Sequence, residues 1–147
     1  METVIVTRHK GLIDWLKKKG ITGKVIPHIS STDPVEIAYE ILSLKEIVKR
    51  CLMWWHSYDG GRGYCDMERD IRNFVVKPLH NIKVVGVLPT FVAETLFKMG
   101  AKVYIINLPQ VPKKKGELTA EDFGMLGVEI LQVEKIKVVL KKPKDLF

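Results

Sequence analysis

Cysteine is nearly missing from this chain: only Cys51 and Cys65 occur. Two thiols are too few to staple a disulfide scaffold, and neither stands in a close Cys-x-x-Cys pair. No apolar run reaches the roughly 20 residues needed to cross a bilayer. The opening runs directly into a strand pattern, with no basic segment leading to a long apolar stretch and a small-residue cleavage site, so a cytoplasmic location without a membrane partner is expected. Internal repeats are lacking, as is any collagen-like or disorder-like composition. What is present suits one globular domain: 46% of the 147 residues are hydrophobic, and the length argues for a single core spanning residues 1–147.

Acidic residues are the minority charge. Lys and Arg number 24 against 17 Asp and Glu, a formal net charge of +7. Such an excess attracts polyanions before any specific contact forms, although it does not say which one. The runs Lys17 to Lys19, Lys113 to Lys115 and Lys141, Lys142, Lys144 read as solvated surface, as like-charge blocks usually are.

Thr3 to Val6 is a β-favouring run that passes into the polar cluster Thr7-Arg8-His9-Lys10, after which Gly11 opens an amphipathic helix carrying Leu12, Trp15 and Leu16 and closed by Gly20. Lys24 to Ile29 is a second short strand, ending at His28. Asp33-Pro34 is a helix start, with Asp33 or Thr32 as cap and Pro34 in the first helical position. From Val35 the apolar residues Ile37, Ile41, Leu44, Val48, Cys51 or Leu52, and Trp55 recur at three- and four-residue steps, predicting one long helix. Gly60, Gly61 and Gly63 mark a turn, and Met67, Ile71, Phe74 and Val75 predict a second helix ended by Pro78, so residues 33–80 read as an inserted helical hairpin. Lys83 to Val87 is a strand, followed by the turn Leu88-Pro89-Thr90 and a helix through Phe91, Val92, Leu96 and Met99 to Gly100. Lys102 to Leu108 is another strand. Thr119 and Asp122 have capping-box spacing for a short helix to about Leu126. Val128 to Val133 and Ile136 to Leu140 supply final strands.

Strands alternating with helices imply a Rossmann-like α/β fold with a mainly parallel sheet flanked by helices. Right-handed crossovers then gather the strand ends on one rim. Thr7, Arg8, His9, Lys10, His28, Leu88, Pro89, Thr90 and the segment Asn107 to Gln110 would share it. That rim is cationic, rich in small hydrogen-bonding groups and poor in carboxylates. Arg8 suits phosphate oxygens, His9 suits proton transfer near neutral pH, and the helix start at Leu88 to Thr90 suits another phosphate.

Several chemistries fit these residues. A strand ending in Arg-His is also a histidine-phosphatase signature, with His9 as nucleophile and His28 or His80 as a second rim histidine; the usual immediate glycine is absent. A module that captures a nucleotide or RNA without cleaving it would use the lysines and Trp54-Trp55, though that pair more often packs than stacks on bases. Cys51, His56, Cys65 and His80 are zinc-ligating types without zinc-site spacing, so neither metal nor cofactor is expected. Asp59 and Asp66 fall outside the rim and carry no assigned role.

Three motifs taken together carry a resemblance. Val6-Thr7-Arg8-His9-x-Gly11 with Trp15, the Gly86-x-Leu88-Pro89 turn with Ala93 in the next helix, and Gly116-Glu117-Leu118-Thr119 before a helix and Gly127 resemble a small CRISPR-associated family. Its members are accessory proteins of type III systems, regarded as ring nucleases that degrade cyclic oligoadenylate. The resemblance covers roughly residues 4–29 and 82–131, and it departs over 32–81, where the family would have a shorter connection. It implies a homodimer that binds the ring, cyclic tetra-adenylate foremost, across its two-fold axis. Cleavage without metal would follow from attack of a ribose 2′-hydroxyl on its own phosphodiester. Arg8 and His9 would be catalytic; Thr7, Lys10, His28, Leu88, Pro89, Thr90 and Asn107 would hold the ligand.

Overall fold

The computed structural model describes residues 1–58, 67–108 and 118–134, with the side chains at 54–58 set aside. The side chains of Trp54, Trp55 and His56 are among those set aside, and the expected features at Asp59, Gly60, Gly61, Gly63, Cys65, Asp66, Pro109 and Gln110, the lysine runs at 113–115 and 141–144, Gly116-Glu117, and the strand Ile136 to Leu140 lie outside these residues. Among the described residues, strands β1 (Glu2–Val6), β2 (Lys24–Ile26), β3 (Ile82–Gly86), β4 (Lys102–Asn107) and β5 (Glu129–Gln132) form one sheet in the order β2-β1-β3-β4-β5. The first four are mutually parallel, and β5 runs antiparallel on the edge beside β4.

The order dictates where the helices go. The chain moves from β1 to β2 in one direction and from β3 to β4 in the other, so two right-handed crossovers must lie on opposite faces. Helix α1 (Lys10–Lys18) accordingly packs on one face with α6 (Ala120–Met125), while α2 (Pro34–Ile41), α3 (Leu44–Tyr58), α4 (Met67–Arg72) and α5 (Thr90–Lys98) belong to the other layer. The period-two alternation of the strands serves both layers. Val4, Val6, Val84 and Val103 face the larger core with Ile37, Ile41, Val92 and Leu96, whereas Ile5, Val85 and Ile106 face Leu12, Leu16 and Phe123. Leu12 and Leu16 are wholly buried, each stabilising the fold by about 1.5–3 kcal/mol.

The helical region corrects one expectation. The apolar face beginning at Val35 does not lie on one continuous helix: α2 ends at Ile41, the backbone of Leu42 after it is extended, and α3 starts afresh at Leu44. Ser43 makes the break favourable, because its Oγ accepts the Glu46 amide at 3.2 Å and so caps the new helix. The break lets Leu42 bury its side chain as the backbone turns. Among the described residues the region therefore contains three helices where a two-helix hairpin was expected. Arg50 ties α3 to the entry of β3: its guanidinium pairs with Glu46 at 3.1 Å and donates to the carbonyls of Pro78 and His80. The Asp33-Pro34 start is present as expected, and so is the Thr119–Asp122 capping box.

Candidate functional site

At the carboxyl ends of β1, β2 and β3 the strand order reverses. The chain leaves β1 toward one neighbour and later leaves β3 away from it, which opens a crevice between the two loops. A cleft of about 280 Å³ occupies that place, walled by Thr7, Arg8 and His9 after β1, Pro27, His28 and Ile29 after β2, and Val87, Leu88 and Pro89 after β3. Gly86 keeps the floor narrow: a side chain there would strike the Val6 carbonyl of the neighbouring strand.

Each wall has a local cause. The Thr7 amide donates to the Ile26 carbonyl at 3.0 Å, carrying the β1–β2 ladder one residue past the last strand pair. Thr7 is buried, and its Oγ1 accepts the His9 amide at 3.1 Å. That bond turns the chain so that the His9 carbonyl can accept from Leu12 and Ile13 and begin α1. Thr7 thus shapes the loop. Gly11 lets the helix start press against the Leu118–Thr119 backbone, where a Cβ has no room. Leu88 is buried in the larger core, so what it offers the rim is backbone.

The charged side chains meet across the cleft. Arg8 Nη2 lies 3.0 Å from His28 Nδ1. A guanidinium has only donors, so Nδ1 is the acceptor in this contact, the role it has in the tautomer with its proton on Nε2. His9 heads α1, with no side-chain cap bond, and its ring leans on Phe123 with centroids 6.0 Å apart. The α5 start at Pro89 likewise has no side-chain cap. Two helix amino ends, neither capped by a side chain, therefore border the same cleft with their partial positive charge. Among the described residues no carboxylate lines it.

No protein-family model, curated protein or solved structure matches this chain. Function must be read from the side chains themselves. Of the expected site residues, Thr7, Arg8, His9, His28, Leu88 and Pro89 come together, whereas Lys10, Thr90 and Asn107 are exposed nearby without lining the cleft. His80 is at the far end of the sheet, before β3, with its Nδ1 3.1 Å from the Lys77 carbonyl. It cannot serve as a second rim histidine. Cys51 is buried in the core; burial first, and Asp70 second, push its thiol up to about 11. Among the described residues no group of three or more His, Cys, Asp or Glu could hold a metal ion.

A larger hollow of about 380 Å³ opens at the opposite, amino ends of β1 and β2, beside Glu2, Lys24 and Glu46. Size does not make it the better site for an anion. Its two carboxylates repel negative ligands, and Lys24 Nζ already donates to the Ile41 carbonyl at 3.1 Å. Phe123, which supports His9, is not marked by any sequence motif; only its place between the capping box and Gly127 points to it.

Proposed function

We propose that this chain is a ring nuclease that binds a cyclic oligoadenylate, cyclic tetra-adenylate foremost, and cleaves it without a metal by in-line attack of a ribose 2′-hydroxyl. The carrying observation is Arg8: a guanidinium held at an imidazole nitrogen, in a cleft lined by no carboxylate among the described residues and bordered by two helix amino ends. Guanidinium and helix amides both match phosphate oxygens. On this reading the sheet is of the Rossmann-like type, and the resemblance in the opening motif, the Gly86-to-Pro89 turn and the Leu118-Thr119 segment supports the substrate class.

The chemistry asks little of the protein beyond placement and charge. The 2′-oxygen bonds to phosphorus, the 5′-oxygen leaves with a proton, and the products carry a 2′,3′-cyclic phosphate and a 5′-hydroxyl. Holding the attacking oxygen in line supplies most of the rate, and cations matched to the pentacoordinate oxygens supply the rest. Arg8 takes that electrostatic role. His9, at the head of α1, is placed to move a proton, and its contact with Phe123 fixes the ring plane. A ring of phosphates is better matched by two copies of the cleft than by one, so the working unit is a homodimer.

The test is incubation of the purified protein with cyclic tetra-adenylate in excess chelator, with products resolved by chromatography and mass. Linear products ending in a 2′,3′-cyclic phosphate are expected. Intact substrate at stoichiometric protein overturns the nuclease reading; tight binding with intact substrate would leave a capture module instead.

A further inference from the structure

We propose that His28 is the positioning residue for Arg8 and that a proton on His28 unlatches the guanidinium, making the cleft sensitive to acid. The inference rests on the reading that this cleft receives phosphate, and it adds the regulation of that site. Arg8 and His28 come from loops after different strands and meet at 3.0 Å. Arg50 and Arg72, by contrast, are held by carboxylates, Arg50 by Glu46 and Arg72 by Asp33. A carboxylate fixes a guanidinium and cancels its charge. A neutral imidazole fixes it and leaves the full charge for a ligand.

The latch has one acceptor. Protonation turns Nδ1 from acceptor to donor and sets a second cation against Arg8, so attraction becomes repulsion. The surroundings supply no substitute among the described residues. On the loop of Arg8 the other titratable cleft group is His9, whose ring rests on Phe123. Between Pro27 and Thr32 the only titratable side chain is His28, and Asp33 beyond it is engaged with Arg72 Nη1 at 2.9 Å and the Val35 amide at 3.4 Å. The rim after β3 carries no charge through Val92, and Glu94 on α5 pairs with Lys98 at 3.1 Å. Freed from His28, Arg8 is a mobile surface cation, while the net positive charge of the cleft has risen by one. Turnover therefore falls with acid, and KM does not rise with it.

His28→Asn retains a carbonyl acceptor near the Nδ1 position and cannot titrate; His28→Ala removes the acceptor. With cyclic tetra-adenylate, His28→Ala should lower kcat by about tenfold at neutral pH, where the wild-type latch is closed, and the deficit should shrink toward acid, while KM stays within about threefold, as expected for lost orientation. His28→Asn should recover most of the kcat and lose the acid-side fall of the wild type. Wild-type turnover in His28→Ala overturns the proposal, and so does an acid limb that persists unchanged in His28→Asn. Nitrogen–proton correlation spectra of the free protein decide independently of any nucleotide. The neutral His28 ring should carry its proton on Nε2, and the Arg8 side-chain signals should broaden or move on acidification in the wild type but not in His28→Asn. A proton on Nδ1 in the neutral ring refutes the latch even if cleavage is observed. If no nucleotide is cleaved, the function assigned above fails while these spectra still decide the latch.

Discussion

Arg8 and Arg50 are the same side chain put to opposite use. Arg50 is only 12% exposed; Glu46 neutralises it and two backbone carbonyls absorb its donors, so its work is to hold α3 against the segment entering β3. Arg8 is exposed, is oriented by an imidazole nitrogen, and faces no carboxylate among the described residues of its cleft. The first arrangement serves stability, since a largely buried cation must be paired and hydrogen-bonded. The second gives the fold little and keeps an uncancelled charge in solvent. A side chain held in place without being neutralised is what anion recognition requires.

Three substitutions separate these uses. Arg8→Ala should lower cyclic tetra-adenylate cleavage by about 10²- to 10³-fold, the usual effect of removing one group matched to transition-state charge, with the thermal midpoint near the wild-type value. Loss of fold in parallel would erase the distinction. Arg50→Ala should do the reverse, because deleting it strips charged hydrogen bonds from two carbonyls. Urea unfolding should report roughly 2–3 kcal/mol lost, and the rate per folded molecule should stay at the wild-type level. Arg72→Ala provides the smallest change. Its pair with Asp33 is solvent-exposed on the arginine side, so less than about 1 kcal/mol is expected by the same unfolding measurement, with no change in cleavage.

The elements around the cleft were legible because their signals are local. A β-branched run followed by Gly11 and an amphipathic stretch predicts β1, loop and α1; the turn at Leu88-Pro89 predicts the exit from β3; Thr119 and Asp122 announce α6. The break between α2 and α3 was also written locally, in Ser43 with Glu46 three residues on, but the unbroken apolar spacing across it masked the capping signal. The contacts that define the site were not legible in this way. Arg8 meets His28 and His9 meets Phe123 through the strand order and the depth of each loop, and no periodicity encodes those. The same limit explains Lys10, Thr90 and Asn107: proximity to a strand end places a residue on the rim without aiming its side chain at the cleft.

Gly11 packs on Leu118 and Thr119, and His9 rests on Phe123, so the first loop of the chain is completed by one of its last described helices. During synthesis, β1 and α1 leave the ribosome long before the segment that steadies them. Closing so distant a contact costs more chain entropy than closing the local turns around it. The Arg8-His9 loop is therefore among the last parts of the fold to acquire its working shape, and a nascent or truncated chain lacking α6 carries the motif without the geometry that gives it meaning.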